Sequence, residues 1–144
     1  MPELQGRIAI TGLPPHRGLI VTLCFFRVVA ADAPAPYGGD PPADAVTDSH
    51  EVFEQVDLNT ESSQSSYDLP FVVSRQSGFY YLQVRAILFR FKSGKGFAQA
   101  EQFFFTRRPL QLTEAPLGEV ALPVRWPSIP LEDLETYGVI KPQK

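Results

Sequence analysis

Any catalysis or metal binding by this chain would begin from two histidines, one cysteine and a serine-rich stretch. His16 stands in Pro14-Pro15-His16-Arg17-Gly18, a turn composition that predicts an exposed loop residue. His50 lies in Asp48-Ser49-His50-Glu51. On a strand, Asp48 and His50 share a face and Glu51 points away, so two ligands converge where zinc needs three or four protein groups. No metal is expected. Ser49, Ser62, Ser63, Ser65 and Ser66 occur without a Gly-x-Ser-x-Gly elbow and read as polar loop. Cys24 sits inside the most apolar run, which predicts an inert core thiol; as the single cysteine it makes neither an internal disulfide nor a cysteine-rich zinc site. Phe91-Lys92-Ser93-Gly94-Lys95-Gly96 lacks the phosphate-loop spacing and a following helix, and reads as a hairpin turn. Glu132, Asp133 and Glu135 read as a solvated helix face. With no catalytic residue and no cofactor expected, the chain reads as a non-enzyme.

The elements that would position other chemistry follow from composition. The chain has 144 residues, 14 of them proline and 11 phenylalanine, with a net charge of −3. That length suits one domain, expected over residues 1–126 with an extension at 127–144. The acidic balance argues against a nucleic-acid binder. Leu19 to Phe26 is far shorter than the roughly twenty apolar residues a membrane span needs. No basic, apolar leader is visible, so cytoplasm is the default expectation.

Prolines break helices and central strands, so they mark the punctuation. Between them seven strands are predicted: residues 4–11, 19–29, 46–58, 66–73, 78–91, 97–105 and 118–125. Residues 30–45 are expected to be a long proline-rich loop, and 107–117 a connector. Val52, Val56 and Leu58 fall on one parity while Phe53 is out of step, which requires a bulge or a face swap. Pro70 and Pro123 predict edge positions. Pro130 to Tyr137 predicts a short helix, with Glu132 and Asp133 at its positive end and Gly138 as the stop.

The hairpin fixes a register. If Phe91 faces Phe97, then Leu88 meets Ala100, Ala86 meets Gln102 and Val84 meets Phe104. Tyr80, Leu82, Val84, Ala86 and Leu88 then line an apolar face. Gln83, Arg85, Gln99 and Glu101 occupy the middle of the opposite face, with Phe79, Tyr81, Phe89, Phe91, Phe97, Phe103 and Phe105 towards its ends. Seven short strands with almost no helix predict an all-β sandwich, Ig-like in its short strands and turn spacing, with a short C-terminal helix; a barrel is the alternative.

The order Gly6-Arg7-Ile8, Gly12-Leu13-Pro14, Gly18-Leu19-Ile20-Val21-Thr22-Leu23, Thr47-Asp48 with Phe53, Leu69-Pro70, and Gly78-Phe79-Tyr80-Tyr81-Leu82-Gln83-Val84 resembles the transthyretin-like sandwiches. These include the carboxypeptidase regulatory-like and collagen-adhesin B-type modules. The resemblance runs over residues 4–125 and implies an accessory or binding domain. Glu51 stands where that pattern has its glycine. The hydrolase branch ends in Tyr-Arg-Gly-Ser, which Tyr137-Gly138-Val139-Ile140 does not match.

Residues 32–68 hold nine acids and no Lys or Arg, while residues 69–108 hold seven basic residues against Glu101 alone. The favoured expectation is that the two segments lie close and offset each other; the other is that the basic, aromatic hairpin faces an acidic partner or the acidic loop of another copy. Aromatic and arginine mixtures mark interface centres, and Arg85 or Arg90 could lie over aromatic rings. The expected function is therefore protein binding, with a second copy included, through Phe79, Tyr81, Arg85, Phe89, Phe91, Phe103 and Phe105. The alternative is a small-molecule or carbohydrate-binding domain using Trp126, Tyr37 and the acidic loop.

Overall fold

The computed structural model describes residues 2–32, 46–92, 96–106, 109–115, 118–127 and 140–142. Alternation of apolar and polar side chains decides its smaller sheet. β1 (Glu3–Thr11) turns Leu4, Gly6, Ile8 and Ile10 inward and Glu3, Gln5 and Arg7 outward, and β4 (Tyr67–Ser74) buries Leu69, Phe71 and Val73 in the same way. β8 (Glu119–Arg125) contributes Val120, Leu122 and Val124. The order is β4-β1-β8, with β1 antiparallel to β4 and parallel to β8. Pro70 and Pro123 therefore both sit on edge strands, where a missing N–H costs no ladder bond.

The larger sheet, of six strands, runs β3 (Val46–Val56), β2 (Gly18–Val28), β5 (Gly78–Lys92), β6 (Gly96–Phe105) and β9 (Ile140–Pro142), with β7 (Leu110–Leu112) paired to β5. β2 has buried side chains on both of its faces, as its near-continuous apolar run dictates. The β5–β6 register pairs Phe91 with Phe97, Leu88 with Ala100, Ala86 with Gln102 and Val84 with Phe104, as the hairpin predicts. The register of β2 against β3 shifts between Val21 and Thr22: Phe53 faces Val21, Glu51 faces Thr22, and Val52 is the additional residue. This bulge reconciles the two parities in the sequence, so that Val52 and Phe53 both pack against the core.

The two sheets pack face to face as an all-β fold. Leu4, Ile8 and Ile10 of the small sheet meet Leu19, Val21, Leu23, Phe25, Leu82, Val84 and Leu88 of the large one in one buried cluster. Gly12, at φ +77°, makes the predicted turn after β1 in a backbone conformation that glycine adopts without strain.

Several expectations need correction. The described residues hold nine strands rather than seven, because residues 110–112 and 140–142 add three-residue strands to the large sheet. Such short pairs carry too little periodicity to read from sequence. Trp126, expected to serve ligand binding, is 4% exposed and belongs to the core, its backbone N–H donating to the Thr11 carbonyl. The predicted helix at Pro130 to Tyr137, and Tyr37 with most of the predicted loop at 30–45, lie outside the described residues. No helix among the described residues is long and apolar enough to cross a membrane.

Candidate functional site

The two sheets present different outer faces. On the small sheet the outward positions mix polar side chains with Val72, Pro70 and Pro123, and Arg7 at the centre reaches Asp68 at 3.1 Å on one side and Glu119 at 3.5 Å on the other. On the large sheet the outward positions of β2, β5 and β6 form cross-strand rows that are mostly apolar, bordered on β3 by Glu54, Glu51 and Ser49. Gly18 pairs with Phe89, Ile20 with Ile87, Thr22 with Arg85, Cys24 with Gln83 and Phe26 with Tyr81; β6 then adds Gln99, Glu101, Phe103 and Phe105 to the first four rows.

Gly18 leaves a gap that its neighbours fill. A β-carbon there would meet Phe89 Cδ2 at 2.9 Å and the Val56 methyls at 3.1 Å, so the Phe89 ring covers the glycine. At the centre, Arg85 Nε donates to Glu101 Oε2 at 2.8 Å while its guanidinium carbon stands 5.8 Å from the Phe103 ring. At the end of the face, Arg17 lies 4.8 Å over Phe91, which is 41% exposed.

The predicted site residues are thus brought together on one face in the expected register. Phe79, Phe89 and Phe103 are half-buried, Tyr81 is buried, and Phe97 and Phe105 are placed by strand register alone. Gln83 departs from expectation: it is 2% exposed, and its Nε2 has no hydrogen-bond partner among the described residues. Cys24 is half-buried on the same face. Burial pushes its thiol above the ordinary range, partly opposed by the charge of Arg85, which makes it a poor nucleophile at neutral pH.

Among the described residues, the arginines of the basic segment already have partners. Arg75 Nε is 2.8 Å from Asp48 Oδ2, and Arg90 Nε donates to the Pro15 carbonyl at 3.1 Å. Burial lowers Arg90 from the ordinary arginine range, with Glu61 acting in the opposite sense. The Arg75–Asp48 pair and the proximity of Arg90 to Glu61 join the acidic and basic segments within one fold. Arg75 also lies 4.6 Å over Phe25, so three arginines stack on rings, two of them residues that the sequence does not single out.

His16 is not the exposed loop residue that its turn predicts; it is 2% exposed. Its Nδ1 lies 2.9 Å from the Pro14 carbonyl, which can only accept, so Nδ1 carries the proton; Nε2 then accepts from the Tyr67 hydroxyl at 2.9 Å. Reciprocal backbone bonds between His16 and Ser62, at 3.0 and 2.7 Å, hold the turn against the 57–66 segment. Both ring nitrogens are committed to structural bonds, and the narrow cleft beside them is lined by Arg17, Asp57, Thr60 and Ser62. Tyr67 is 51 residues away in sequence, so no local signal announces the pair. Among the described residues no group of three or more His, Cys, Asp or Glu side chains converges as a metal site.

No family model, curated protein or solved structure matches this chain.

Proposed function

We propose that this chain is a non-catalytic β-sandwich module that binds protein, a second copy included, through the outer face of its six-stranded sheet. The contrast between the two outer faces carries the reading. The outer face of β2, β5 and β6 shows Ile20, Phe79, Ile87, Phe89 and Phe103 around the Arg85–Glu101 pair, with Glu51 and Glu54 at its β3 border, whereas the small sheet's outer face centres on the ion pairs of Arg7 and carries Val72 but no aromatic side chain. Apolar and aromatic side chains ringing an arginine are the composition of interface centres.

The finer fold reading belongs to the same proposal. The seven longer strands would form a transthyretin-like or Ig-like sandwich over residues 1–126, and residues 127–144 would form an extension with a short helix. The antiparallel order β3-β2-β5-β6 and the edge prolines support it.

Size-exclusion chromatography with light scattering, together with affinity capture, tests the function. Arg85→Glu and Phe103→Ala are expected to abolish a dimer or complex that the unaltered chain forms. A chain that stays monomeric over a wide concentration range and captures nothing would overturn the reading.

A further inference from the structure

Antiparallel pairs alternate between residues whose backbone groups bond the neighbour and residues whose groups point away. Thr106 N–H donates to the Leu82 carbonyl at 2.9 Å, so the core-facing residues of β5 bond to β6 and its outward-facing residues bond to β2. By the same alternation, the core-facing residues of β2 bond to β3. This leaves Ser49, Glu51, Glu54 and Val56 with backbone N–H and C=O directed away from the sheet, since β3 is its terminal strand.

The two halves of that edge differ. At Ser49 the groups are occupied, the N–H by Asp48 Oδ1 at 2.8 Å and the carbonyl by Arg75 Nη2 at 3.4 Å. From Glu51 to Val56, across the bulge, none of the outward backbone groups has a partner among the described residues. Glu51 and Glu54 flank the bulge, both exposed; their side chains are hydrogen-bonded to each other, and neither forms an ion pair among the described residues. Val56 is 42% exposed, and with Ile20 and Phe89 it forms an apolar shelf behind the edge.

We infer that the Glu51–Val56 half of β3 accepts an extended, lysine- or arginine-bearing segment of a partner protein by strand addition. The backbone groups supply the ladder, and the Glu51 and Glu54 carboxylates, which lie on one face of the strand, select for cations at alternate positions of the added segment. A second copy pairing along this edge would bring carboxylates against carboxylates, and the bulge interrupts the match, so self-addition is disfavoured. The inference rests on the reading of the chain as a protein-binding module, but it uses β3 and neither Arg85 nor Phe103.

The test is fluorescence anisotropy of a labelled synthetic octapeptide of alternating Lys and Val, titrated with the full chain at low salt. Saturable binding is expected, weakened about tenfold by the double substitution Glu51→Gln and Glu54→Gln, which removes both charge contacts. Phe103→Ala should leave it unchanged, which separates a failure of this site from a failure of the outer face. A peptide N-methylated at every backbone amide keeps the charge and removes the ladder donors, and it should not bind. Hydrogen exchange should show new protection at the Glu54 and Val56 amides. Equal binding of the N-methylated peptide, equal binding of a Glu/Val peptide, or no saturable binding would each overturn the inference.

Discussion

Arg85 donates to Glu101 across the β5–β6 ladder and stands over Phe103, its direct cross-strand neighbour. The carboxylate is much less exposed than the guanidinium, with side-chain values of 13% and 43%. A double-mutant cycle on Arg85→Ala and Glu101→Ala, measured by denaturant unfolding, is expected to return a coupling of about 1 kcal/mol, because the pair is only half withdrawn from solvent. A coupling near zero would mean that the pair is held by its neighbours rather than holding them.

The His16–Tyr67 bond ties the turn after β1 to the start of β4. Tyr67→Phe removes the donor to Nε2 while keeping the ring that packs on Phe53 at 5.3 Å between centroids. A buried acceptor then loses its partner, and the expected loss is about 1–2 kcal/mol in denaturant unfolding, with the fold retained.

Gly6 sits where β1 passes β8. A β-carbon there would run into the Val120 carbonyl oxygen and lie 2.8 Å from Phe71 Cζ. The first contact is with backbone, which cannot rotate aside, so Gly6→Ala must part the parallel β1–β8 pair. The expected cost is about 1–3 kcal/mol by thermal or denaturant unfolding, with amide exchange rising first along β8.

Glu51 carries a carboxyl raised above the ordinary range, first by its hydrogen bond with Glu54 and then by that residue's charge. The folded state thus holds the proton more tightly than the unfolded chain does. Its contribution to stability is present in acid and is lost as pH rises through the raised folded value. Glu51→Gln is expected to remove this slope from the melting temperature between the ordinary glutamate range and neutrality, and to raise the melting temperature slightly at neutral pH.

What the sequence revealed and what it hid divide along physical lines. The 79–105 hairpin was legible because a period of two with one Gly-rich loop admits one register that keeps Leu88, Ala86 and Val84 on a single face. The bulge beside Phe53 was legible as a parity conflict, and the edges as Pro70 and Pro123. His16 and Trp126 were not, because their burial is made by partners distant in sequence: Tyr67 and Ser62 for one, Thr11 for the other. The charge blocks showed where acids and bases concentrate but not that Arg75 closes on Asp48, a contact the fold creates. Sequence parity placed the candidate face, yet only the sheet order shows that β3, with its acids, borders it.

The most direct test of the binding reading is site-specific photo-crosslinking in living cells. A benzophenone amino acid at position 103 probes the outer face of the large sheet, and the same probe at Val72, which is 54% exposed on the other sheet, serves as the reference. A defined protein adduct, or a crosslinked second copy, is expected from position 103, absent from position 72 and lost when Arg85→Glu is added. The same adducts from both positions, or none from position 103, would contradict the account.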